Sequence, residues 1–109
     1  MTTITIKRQH NSIIQVECKG HTGYARHGED TVCASISAIT QTALLGLLNV
    51  ADVKVKSTKN DDQGYLKFEI VGDLDKEKRH ECDMILETMV AGIKDFEDGF
   101  SKYVKLEEK

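Results

Sequence analysis

Apolar and polar positions alternate from the start of the chain. Ile4 and Ile6 stand between Thr3, Thr5 and Lys7, and after His10-Asn11-Ser12 a second alternation sets Ile14, Val16 and Cys18 against Gln15 and Glu17. A period of two marks strands with one buried face, and the two runs read as a hairpin. From residue 20 to 29 the pattern stops, and Gly20, Gly23 and Gly28 mark a loop whose backbone needs unusual dihedrals. Beyond it Val32, Ile36, Ile39, Ala43, Leu44, Leu47 and Leu48 recur at helical spacing, so Asp30 is read as an N-cap and the first helix is predicted over 31–49.

Val53 and Val55 alternate with Lys54 and Lys56 as a third strand. Asn60 to Gly64 supply a turn, and Tyr65 to Ile70 a fourth strand. Leu74 opens the second predicted helix, along which Cys82, Ile85, Leu86, Met89, Val90, Ile93, Phe96 and Phe100 fall three or four apart. Tyr103 to Leu106 alternate as a short last strand. The order β-β-α-β-β-α-β with half-solvated strands predicts an α+β, two-layer fold: a mainly antiparallel five-stranded sheet with both helices on one face.

Composition narrows the class. A chain of 109 residues with formal charge −3 and 30% charged residues suits one folded domain spanning 1–109 and excludes global disorder. No apolar run approaches the length of a membrane span, no signal core precedes the first strand, and a cytoplasmic protein is expected. Cys18, Cys33 and Cys82 are an odd number without paired spacing, so free thiols are expected. With Asp30 as cap, Cys33 is the third helical residue. The opening turn of a helix carries partial positive charge and outward N–H groups, which favour a thiolate and suit an oxyanion. His21, at the end of the second strand, is placed to supply the acid, and a Cys–His dyad follows. Asp30 either caps the helix or orients His21. His27 is the rival base but has the neighbours of a solvated loop residue. Tyr24 either stacks on a peptide or anchors the loop, and Ser37 lies one turn beyond Cys33. Cys18 and Cys82 read as core residues. The small-residue face of Ser35, Ser37, Thr40 and Gln41 suits either a dimer partner or the second helix.

The run Gly20-His21-x-Gly23-Tyr24-Ala25-x-x-Gly28-x-Asp30-x-x-Cys33-Ala34-x-x-Ser37 resembles the signature of the ribosomal-processing cysteine proteases called Prp, and the likeness extends over the whole chain in length and element order. The resemblance implies a homodimeric cysteine endopeptidase that removes a short N-terminal extension from large-subunit ribosomal protein number twenty-seven. It makes His21 the catalytic histidine and Cys33 the nucleophile, with Gly20, Gly23, Tyr24, Asp30 and Ser37 in supporting or substrate-binding positions. No cofactor, membrane or direct nucleic-acid contact is expected. Two other readings compete. Cys18, His21, His27 and Cys33 offer four ligands for zinc, although the later spacings are atypical. Lys7, Lys54, Lys56, Lys67 and Lys105 would form a basic stripe on the outer sheet face, suited to a non-catalytic ribosome- or RNA-associated module.

Overall fold

The computed structural model describes residues 1–26 and 30–109. β1 (Thr2–Gln9) and β2 (Ser12–Lys19) form the first hairpin. His10 and Asn11 turn it with φ of 53° and 69°, the pair of positive dihedrals that matches the twist of tight hairpins. α1 covers Thr31–Asn49, β3 Val55–Asn60, β4 Tyr65–Ile70, α2 Lys76–Gly99 and β5 Val104–Glu108, in the predicted order. The sheet runs β3-β4-β2-β1-β5. It is antiparallel except for β5, which lies parallel to β1 with Thr2 beside Val104 and Ile6 beside Glu108.

Three local expectations need correction. Lys7 pairs with Gln15 but Arg8 with Ile13, so Ile14 is one residue too many on β2 and the alternation reverses there. Ile13 enters the core while Ile14 stays half-buried. The third strand begins at Val55 rather than Val53, because the Val53 N–H turns back to the Leu47 carbonyl at 3.0 Å instead of joining the ladder. The second helix begins after Leu74. Asp75 is its cap, its carboxylate accepting the Lys78 N–H at 2.8 Å, which leaves Leu74 as a half-buried residue before the first turn.

The core lies between the sheet and both helices. Ile4, Ile6, Val16 and Phe68 from the strands meet Ile36, Leu47, Leu86 and Ile93 from the helices, and all are nearly inaccessible to water. Each such side chain contributes roughly 1.5–3 kcal/mol on burial. The half-exposed fork of Arg8 onto Glu87, at 2.7 and 3.1 Å, with Glu108 at 3.2 Å, adds on the order of 1 kcal/mol or less. Packing therefore decides the fold. α1, with 19 residues and a mean hydropathy of 1.6, is long and apolar enough to cross a bilayer, which the sequence pattern did not indicate; here its stripe of Val32, Ile36, Ala43 and Leu47 faces the core. The outer sheet face is not a basic stripe. Lys67 stands in register with Glu17 and Lys56 with Glu69, Lys105 pairs with Glu107 at 3.1 Å, and Lys54 lies outside any strand.

Candidate active site

Three pieces of chain converge at one end of the sheet: the exit of β2, the opening turn of α1 and the β3–β4 turn. Gly20 leaves β2 with φ +94°, and a Cβ there would sit 2.6 Å from the Met1 carbonyl oxygen, so only glycine lets the chain turn so close to β1. The Thr2 hydroxyl donates to the Gly20 carbonyl at 2.9 Å and fixes that exit. His21 follows, half-buried, with Nε2 at 3.1 Å from the Asp62 carbonyl.

On the other side Asp30 caps α1, its Oδ1 accepting the Cys33 N–H at 2.8 Å. Its Oδ2 accepts from the Thr22 hydroxyl, from the Tyr24 N–H at 3.0 Å and from the Ala25 N–H at 3.3 Å. One buried carboxylate thus ties the turn carrying Cys33 to the segment that follows His21. Burial opposes ionisation of Asp30, but the donors from Thr22, Cys33, Ala25 and Tyr24 outweigh it and hold the carboxyl below its ordinary range.

His21 and Cys33 line the same cleft, of about 480 Å³, with Gly20, Gly23, Asp30 and Ser37. Cys18, Ile36, Thr40 and Leu66 also line it, as do Gln41, Lys59, Asp61 and Gly64. The small-residue face of α1 therefore turns Ser37, Thr40 and Gln41 to this cleft. Tyr24 lies outside it. Its ring meets Phe100 and Tyr103 edge to face, with centroids 5.8 and 5.3 Å away, which anchors the loop to the end of α2. His27 lies outside the described residues, as do Gly28 and Glu29, and so does its reading as the rival base.

The three thiols differ in setting. Cys18 is buried, and burial pushes its thiol up to about 12, with a hydrogen bond to Thr40 offsetting this only in part. Cys82 is fully buried on α2 and is likewise pushed up by burial. Cys33 is half-buried and opens on the cleft. Iodoacetamide near neutral pH is therefore expected to alkylate Cys33 first, with Cys18 and Cys82 reacting only on unfolding; peptide mass mapping over time checks the order. Among the described residues no group of three or more His, Cys, Asp or Glu side chains is gathered as a metal site. Thr22 and the 61–64 turn carry structural weight in the site that the sequence reading missed. Thr22 carries no local signal beyond being polar, and the turn reaches His21 from a distant stretch of chain.

Comparison with known proteins gives the family. The family model for cysteine protease Prp matches residues 1–105. The ribosomal processing cysteine protease Prp of Bacillus subtilis (strain 168) is 29% identical over 107 residues, covering 97% of this chain and 96% of the relative. The fold is shared with S. aureus Prp bound to a covalently linked product peptide, at a TM-score of 0.88 and 22% identity over 100% of both chains. It is shared too with SMU.848 from Streptococcus mutans, at a TM-score of 0.82 and 24% identity, covering 100% of this chain and 96% of that one. A family match over nearly the whole length, on a chain that opens a thiol and an imidazole onto one cleft, makes this protein a member of the Prp family of ribosomal processing cysteine proteases, and so a cysteine endopeptidase.

Proposed function

We propose that the chain removes a short N-terminal extension from large-subunit ribosomal protein number twenty-seven, with Cys33 as nucleophile and His21 as acid and base. The observation that carries this reading is the single cleft lined by Cys33, on the opening turn of α1, and by His21 from the β2 exit. The complexes of S. aureus Prp with a substrate peptide and with a covalently linked product peptide support a peptide as the substrate.

In this mechanism the Cys33 thiol gives its proton to His21, and the sulfur pair attacks the scissile carbonyl carbon while the carbonyl π pair moves to oxygen. The positive end of α1 suits the charge that develops on the oxyanion. Collapse of the tetrahedral species expels the amine, which takes the proton from the imidazolium. A water molecule, deprotonated by the same imidazole, then hydrolyses the thioester and returns the thiol. The Cys33 N–H is committed to Asp30, so its contribution is to hold the helix start in place. Lys59 lines the cleft from β3, an edge strand, where an extended peptide can run alongside the sheet.

A ribosomal substrate places this work in the cytoplasm. A second copy is proposed to cover the apolar groove between the helices, where Ala38, Ile39, Gly46, Met84, Ile85 and Gly92 line about 690 Å³ and Met84 is 52% exposed. Sedimentation should then show a dimer that Met84→Glu dissociates. For the activity itself, the protein is incubated with synthetic N-terminal peptides of ribosomal proteins and the products are weighed by mass spectrometry. Cleavage of the protein twenty-seven peptide at one bond is expected, and an intact peptide beside cleavage of unrelated ones would refute the substrate assignment.

A further inference from the structure

A backbone carbonyl can only accept, so the 3.1 Å contact between His21 Nε2 and the Asp62 oxygen requires the proton on Nε2. In the neutral ring Nδ1 then carries the lone pair, and the proposed proton transfer runs through it. The geometry points to the β3–β4 turn, residues 61–64, as a positioning element of the dyad: its main chain holds the His21 tautomer and ring orientation. This is the part that a carboxylate or amide side chain plays in other protease sites. The inference rests on the reading of His21 as acid and base.

Three observations bear on it. The turn is fastened to the same segment a second time, because the Gly20 N–H donates to the Gly64 carbonyl at 2.9 Å. It is also held internally, the Gly64 N–H on the Asp61 carbonyl at 3.1 Å and the Gln63 N–H on the Asn60 side-chain oxygen at 3.3 Å. And the fit leaves no room: at φ +61° a Cβ on Gly64 would lie 2.8 Å from the Gly20 oxygen and 3.1 Å from His21 Cε1. Asp30, the other candidate orienter, has four donors gathered on its two oxygens, namely Cys33, Thr22, Tyr24 and Ala25.

Nitrogen-15 imidazole spectra of the wild-type protein without substrate test this directly. The His21 ring in its neutral form is expected to show its proton wholly on Nε2 and protected from exchange with water. Gly64→Ala is expected to abolish that protection and to lower kcat on the order of 10²-fold, a larger change than in KM, because the ring is displaced at the reacting end of the cleft that Gly64 lines. A ring proton on Nδ1, or an unprotected averaged pair, overturns the proposal even where His21→Ala is inactive, and the dyad then stands without this support. Full turnover in His21→Ala overturns the dyad, and with it any catalytic meaning of the turn.

Discussion

Cys33→Ala is expected to reduce peptide cleavage to below about 10⁻⁴ of wild type, and His21→Ala to do the same, since members of one nucleophile–base unit fail together. The double variant should be no worse than either single one for that reason. Cys33→Ala should not move stability by more than about 0.5 kcal/mol, whereas His21→Ala gives up the bond to the Asp62 carbonyl and should cost roughly 0.5–1.5 kcal/mol. The Cys33 side chain opens on the cleft, and the bond that caps α1 uses its N–H, which alanine keeps. Wild-type turnover in either variant, measured on the same peptide at equal concentration of folded enzyme, would remove the dyad from consideration.

The second large effect is on folding. Asp30→Ala takes away the cap of α1 and strands the buried Thr22 hydroxyl and the partly buried Tyr24, Ala25 and Cys33 N–H groups. A lost cap and buried donors left without acceptors together predict a destabilisation of roughly 2–4 kcal/mol. Asp30→Asn should fall between, keeping an oxygen for the Cys33 N–H while turning an amide NH₂ towards donors. The effect should also depend on pH. The Asp30 carboxyl is held below its ordinary 3.8, so its stabilisation is fully present above that value and is lost as the pH falls from there through the lower folded-state value. Urea unfolding of wild type and Asp30→Ala at neutral pH and again near pH 3 should show the gap narrowing; an equal gap at both would mean that the charge of Asp30 is not what the loop is built around.

Both variants probe residues that are visible in the sequence, for different reasons. The bounds of α1 could be read because Asp30 is a cap by residue type and the apolar spacing behind it is unbroken, and the structure places the helix over the same residues. Cys33 and His21 stand out because reactive residue types are rare and their local settings differ. The misses come from tertiary pairing. Ile14 looks inward by parity until one inserted residue reverses it, and Leu74 looks helical until Asp75 supplies a better start. The double engagement of Asp30 depends on Thr22 being folded back against it. The carbonyl that meets His21 belongs to a turn 41 positions away, and no periodicity encodes that contact.

The parallel strand at the far end of the chain has a bearing on when the protein can work. Every residue lining the cleft lies at or before Leu66, yet Tyr24 leans on Phe100 and Tyr103, and β1 gains its second neighbour only when Val104–Glu108 docks. Contacts of such wide sequence separation form late. A chain whose segment 100–108 has not yet docked can hold every cleft residue named above and still lack the aromatic footing beneath Tyr24, so competence waits on that segment.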